Sequence, residues 1–200
     1  MTITRMPTQE RSIEKRNKII KTGFDLFCEK GYHNISTNEI AKKAGVSVGI
    51  IYQYFENKHD ILVKSMNYYS DSIMYPTLDS FENVDFSTNN LREVLTNIVD
   101  YFIEHHTMKK EVHEELLALQ YEDEEIGEIF KRKELHTVNV VCEILKRNGY
   151  KNKNLLEKVH ISYNLIDNLC HDIIYHKHED INYDEMKKEV ISIVESLLKK

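Results

Sequence analysis

Helix breakers are almost missing from this chain. Two prolines and six glycines are spread over 200 residues, and the segments between them are rich in Leu, Ile, Glu and Lys. No strand-like alternation outcompetes a 3.6-residue period in these segments. A backbone so seldom interrupted, with 41% apolar residues to fill a core, predicts an all-α fold of one or two small domains. No apolar run approaches the roughly 18 residues that a bilayer span needs, and the opening MTITRMPTQERSIEKRNK is polar and basic. The expectation is a cytoplasmic protein with no membrane partner. Cys28, Cys142 and Cys170 lie far apart, each inside a helical pattern, which fits buried reduced thiols rather than a disulfide framework or a zinc knuckle.

The net charge of −6 conceals an asymmetry. Residues 1–60 hold ten Lys or Arg against seven Asp or Glu, and the remaining 140 hold 17 against 26. A basic first segment on an acidic body is the distribution expected if only that segment meets a polyanion.

Ile13, Ile20, Phe24 and Phe27 predict a first helix over 10–30, stopped by Gly31. Ser36-Thr37-Asn38-Glu39 reads as a capping box that opens a second helix with Ile40 and Ala41 inward. That helix stops at Ala44-Gly45, where glycine supplies the turn and Ser47 is placed to cap the next helix. Helix, four-residue turn, helix is a helix-turn-helix. On its second helix Val46, Ile51 and Phe55 turn inward. The rows Val48/Tyr52 and Gly49/Gln53 then stand on the outer face, flanked by Ile50/Tyr54. Gly49 admits a close backbone, and the phenols and amide are donors for phosphate oxygens and base edges. The same tyrosines also suit covering apolar core, and the helix alone does not decide between the two.

The block RNKIIKTGFDLFCEKGYHNISTNEIAKKAGVSVGIIYQYFENKHDIL, Arg16 to Leu62, resembles the N-terminal DNA-binding domain of the TetR family of bacterial transcriptional repressors. The likeness is carried by Ile19-Ile20, Leu26-Phe27, Gly31-Tyr32, Glu39-Ile40-Ala41, Ala44-Gly45-Val46-Ser47, Gly49 and the Tyr52, Phe55, Lys58 series. It implies that Thr37 touches a phosphate and Asn38 reaches a base. It further implies that Val48, Gly49 and Gln53 face the major groove, Tyr52 and Tyr54 meet phosphate or sugar, Lys58 holds the DNA backbone, and Ser47 belongs to the same DNA-binding set. Val48 stands where many members have Lys or Arg, and Ile50 where a small or hydroxylated residue is usual. Both suit thymine methyl groups. Gly23 replaces a more typical alanine, at a helix-propensity cost of about 1 kcal/mol, for close helix contact.

Beyond this block the pattern stays helical. A fourth helix is expected from Asn57 to about Tyr75, broken at Pro76, with a loop through PTLDSFENVDFSTNN. A fifth carries Leu91, Val94, Leu95, Ile98, Val99 and Phe102 on one face. Two more cover 111–120 and 125–146, stopped at Asn148-Gly149, and a last pair covers 155–175 and 183–198, the latter capped by Asn182. The division is a helix-turn-helix DNA-binding domain over 1–62 and a helical effector-binding and dimerisation domain over 63–200.

The resemblance implies a ligand-responsive transcriptional repressor that binds a palindromic double-stranded operator as a homodimer and is released by a small-molecule effector. Half-sites would lie about 34 to 36 Å, or a multiple, apart. The last two helices would supply the dimer interface through Leu169, Ile173, Val190, Ile193, Val194 and Leu197, with purely intramolecular packing as the alternative. Candidate effector-pocket residues are Met66, Tyr69, Met74, Tyr101, Phe102, His105, Asn164, Asn168 and His171, all of which also suit core or surface. The acidic run Tyr121 to Glu128 fits a solvated face as well as a cationic ligand.

Signs of an enzyme are few. Glu157-Lys158-Val159-His160 is a single Glu-x-x-His where a di-iron bundle needs two. His-Glu-x-x-His, a phosphate-binding glycine loop and a Gly-x-Ser-x-Gly elbow are absent. His105-His106 and His176/His178 point in different directions on a helix. The expectation is a non-enzyme with no cofactor and no metal. The competing class is a helical adaptor with a vestigial DNA-binding head.

Overall fold

The computed structural model describes residues 10–69, 84–87, 90–105 and 109–199, except for the side chains of residues 69 and 105. Among them the chain forms nine helices and no strand: α1 (Glu10–Lys30), α2 (Thr37–Ala44), α3 (Val48–Tyr54), α4 (Lys58–Tyr69), α5 (Leu91–His105), α6 (Lys110–Glu122), α7 (Glu124–Arg147), α8 (Leu155–Tyr175) and α9 (Tyr183–Lys199). Met74, the break at Pro76 and most of the expected loop after it lie outside the described residues.

The described residues form two compact units. Those up to 69 pack with 109–131, and 84–105 pack with 132–199. These units do not coincide with a division at residue 62. Val63 and Met66 of α4, Val112, Leu116 and Leu119 of α6, and Ile126 and Ile129 of α7 share one core with Ile19, Ile20, Ile40, Ile51 and Phe55. Burial groups residues that are some 90 positions apart, which a boundary drawn along the sequence does not register.

In the first unit α1 and α4 are the main packing pair. Gly23 makes their approach possible, since a Cβ there would stand 2.8 Å from Ile61 Cγ2 and 3.4 Å from Ser65 Oγ. Just beside it the fully buried Ser65 hydroxyl donates to the Ile20 carbonyl at 3.0 Å. Ile13, expected on the core face, is 42% exposed. It lies about 100° around α1 from Ser12, the residue that faces α3.

Asp123 closes α6 and opens α7. Its Oδ1 accepts the Ile126 N–H at 3.0 Å and its Oδ2 meets His59 Nε2 at 2.7 Å. The Ile126 N–H first, and then His59, hold the carboxyl below its usual range.

The second unit has its own core. It is built from Leu91, Val94, Leu95 and Val99 of α5, Val138, Cys142 and Leu145 of α7, Leu155, Val159, Leu169 and Cys170 of α8, and Val190, Ile191, Val194 and Leu198 of α9. Arg92 pairs with Glu195 and Lys187 with Asp100, tying α9 to α5. Asn182 Oδ1 accepts the N–H groups of Asp184 and Glu185, which is the expected cap. All three cysteines are free thiols, Cys142 and Cys170 buried and Cys28 half-buried.

Gly23→Val should lower stability by about 1–3 kcal/mol in urea unfolding, because the added methyls must displace Ile61. For Asp123 folding lowers the pKa. Its contribution is complete above the unfolded aspartate value near pH 4 and is lost as pH falls through the lower folded value. The stability deficit of Asp123→Asn should therefore shrink in urea titrations taken below about pH 4.

Candidate nucleic-acid interface

The α1–α2 connection sets the position of both helices of the helix-turn-helix. Gly31, at φ 83°, turns the chain out of α1. Ser36 then opens α2: its hydroxyl accepts the Glu39 N–H at 3.2 Å, and the Glu39 carboxylate accepts the Ser36 N–H at 3.1 Å. That backbone bond, followed by the Lys30 ammonium, lowers the Glu39 pKa. α2 ends at Gly45, φ 70° and ψ 36°. The Val46 N–H reaches the Ala41 carbonyl at 3.0 Å and the Gly45 N–H reaches Lys42 at 3.3 Å, a Schellman ending. Ser47 precedes α3 without a side-chain capping bond, contrary to expectation. Its main-chain carbonyl takes the Ile50 N–H instead.

α3 is held from below by Ile51 and Phe55, both fully buried. Gly49, Tyr52 and Gln53 are exposed above them, and Ser47 and Asn38 are exposed as well. Gly49 has no positive φ, and a Cβ on it would meet nothing nearer than Ser47 Oγ at 3.9 Å. The fold itself therefore does not require glycine at this position. Val48, Ile50 and Tyr54, expected on the outer face or its flank, are partly buried against the core. A helix this short, sunk on two large anchors, brings its neighbouring rows down with it.

Two hydroxyl pairs flank the exposed face. On one side Tyr52 and Thr37 of α2 stand 3.3 Å apart. On the other Tyr54 and Ser12 of α1 stand 2.9 Å apart.

Lys58 differs most from expectation. Its ammonium turns inward, donating to the carbonyls of Tyr32 and Ile35 at 2.8 Å each, and it stands 4.3 Å from the centre of the Tyr32 ring. Glu115 of α6 grips the same connection, accepting the His33 N–H at 2.9 Å. No local pattern announces these attachments, which join residues 26 and 82 positions apart.

Of the expected effector residues, Met74 and the side chains of Tyr69 and His105 lie outside the described residues. Met66 belongs to the core of the first unit. In the second, Tyr101 is exposed and Phe102 partly buried. Asn164 and Asn168 give their amides to carbonyls of α8 itself, and His171 lies 3.5 Å from Asp167. A recess of about 250 Å³ on α7, lined by His136, Asn139, Val140, Glu143, Ile144 and Arg147, contains none of them. Of the expected dimer residues, Leu169, Val190 and Val194 are buried in the core of their own unit. Ile193 is 51% exposed, and Ile173 and Leu197 are half-buried. Among the described residues no group of three or more His, Cys, Asp or Glu is arranged to hold a metal, and no helix is long and apolar enough to cross a membrane.

Residues 19–64 match the family of bacterial regulatory proteins, tetR family. The chain is 36% identical over 92 residues to the HTH-type transcriptional regulator YuxN of Bacillus subtilis, covering 46% of this chain and 32% of that one. It is 28% identical over 101 residues to the HTH-type transcriptional activator FasR of Mycolicibacterium smegmatis, covering 50% and 44%. The matched stretch thus spans less than half the length of these curated relatives. In fold, the chain resembles a TetR-family transcriptional regulator from Mesorhizobium loti, with a TM-score of 0.71 at 17% identity, covering 96% and 98% of the two chains. It also resembles a transcriptional regulator from Saccharomonospora viridis in complex with choline, with a TM-score of 0.69 at 18% identity, covering 92% and 96%.

Lys58→Met should cost about 2 kcal/mol in urea unfolding, since it leaves two carbonyls without their charged donor.

Proposed function

We propose that the chain, whose residues 19–64 match the tetR family of bacterial regulatory proteins, is a cytoplasmic transcriptional repressor. In this reading it binds a palindromic DNA operator as a homodimer and leaves it when a small-molecule effector binds the helices of 63–200. The observation that carries the DNA-binding half is Gly49. A glycine in a helix costs about 1 kcal/mol relative to alanine, and here neither backbone conformation nor packing requires it. A demand from outside the chain accounts for it, namely a base pair or sugar that must come close to the helix. Gln53, one turn on and exposed, then supplies an amide that matches the edge of adenine. Thr37 and Tyr52 present their paired hydroxyls to a phosphate.

Two-fold pairing is supported by the apolar side chains that α8 and α9 leave open, with Ile161 49% and Ile193 51% exposed and Ile173 and Leu197 half-buried. The effector half of the reading draws on the choline held by the Saccharomonospora viridis protein, which has the same fold. An effector needs only about 1–3 kcal/mol of coupling to change operator affinity 5- to 150-fold.

Selection of duplexes from a randomised pool tests the reading. An inverted repeat should be enriched, and Gln53→Ala should relax one position in each half-site, by about 1–3 kcal/mol of discrimination. Gly49→Ala should raise stability by roughly 1 kcal/mol while weakening binding to the enriched duplex. A pool that stays random after repeated rounds would leave the fold without this role.

A further inference from the structure

We infer that the first turns of α1 form a second phosphate-binding bank for the DNA, through Arg11, Lys15 and Lys18. The inference rests on the DNA-binding reading above and adds to it residues outside the helix-turn-helix.

The two hydroxyl pairs bracket the reading face. Tyr52 reaches Thr37 on one side of the exposed face of α3, and Tyr54 reaches Ser12 on the other. That face thus lies between the start of α2 and the start of α1. A helix seated in a major groove about 12 Å wide has one phosphate strand on each side. The α2 side offers hydroxyls and a helix N-terminus. The α1 side must offer something of its own.

What it offers is positive charge. Arg11 and Lys15 flank Ser12 along one edge of α1, and Lys18 continues that edge at i+3 from Lys15. Arg16, on the opposite side of Ser12, rests 5.6 Å from the Phe55 ring and fixes the helix against the end of α3. Lys18 reaches the other end of α3: its ammonium lies 3.7 Å from where a Cβ on Gly45 would stand, beside the α2–α3 turn. The edge therefore runs from beside the last residue of α3 to the turn that precedes that helix.

Arg11, Lys15 and Lys18 are exposed, and among the described residues none takes part in an ion pair or side-chain hydrogen bond. Glu10 and Glu14 on the same helix do not pair with them. Lys30 and Lys43, by contrast, are neutralised by Glu39 and Glu29. Cations left unpaired beside a reading helix match the charge and the repeat of a phosphate strand.

The test is a salt titration of binding to the duplex enriched by the wild-type protein, read by fluorescence anisotropy. Each lost phosphate contact should make the slope of log K against log salt shallower by about 0.9. Arg11→Gln, Lys15→Gln and Lys18→Gln should each show this, and the triple variant should show their sum with unchanged base preference and an unmoved unfolding midpoint. Lys21→Gln, nearly two turns beyond Lys15 and also exposed, should leave the slope as it was. A triple variant with the wild-type slope overturns the inference and leaves the DNA-binding reading intact. A Lys21→Gln slope change equal to that of the other three also overturns it, because a diffuse field then replaces a built bank. If no duplex is enriched, both readings fall together.

Discussion

A helix of seven residues does not hold itself together in water, because nucleation costs more than so few hydrogen bonds return. α3 exists because Ile51 and Phe55 are buried to the last square ångström beneath it. Everything proposed for the chain depends on that anchoring. It fixes which residues remain outside, and it holds the face at a set height above the core. It also explains why Val48, Ile50 and Tyr54 sit lower than a helical wheel places them.

The second constraint is the six-residue connection between α1 and α2. It has no regular structure of its own, so its carbonyls and N–H groups need partners from elsewhere. Lys58 of α4 takes two carbonyls, Glu115 of α6 takes an N–H, and the Asn34 amide caps the last turn of α1 at the Lys30 carbonyl. The position of Thr37 at the start of α2 is thus set jointly by α4 and α6. These hydrogen bonds add directional attachments to the apolar core that α4 and α6 share with α2 and α3.

Local features of the fold were legible in the sequence. The capping box at Ser36, the Gly45 ending, the stop at Gly149 and the extents of α1 and α8 all arise from short-range patterns, and the structure has each of them. Attachments made across the chain were not legible. Lys58 in sequence is a lysine at a helix start, and only the folded chain shows it turned toward Tyr32 and Ile35. Periodicity also fails to separate core from interface: Leu169, Val190 and Val194 have the same spacing whether they face their own unit or a partner. The exposed Ile193 differs from Val190 and Val194 only in its angle around α9. The paired hydroxyls of Ser12 and Tyr54, 42 residues apart, were likewise beyond any local pattern.

The three thiols carry a chemical consequence. Burial comes first in raising each of them, and the nearby Asp25 and Asp167 add to it at Cys28 and Cys170, both pushed up to about 11. The upward shift keeps the thiolate, the form that attacks peroxide or a disulfide, scarce at neutral pH. These three thiols are therefore weak nucleophiles toward peroxide, disulfides and electrophiles.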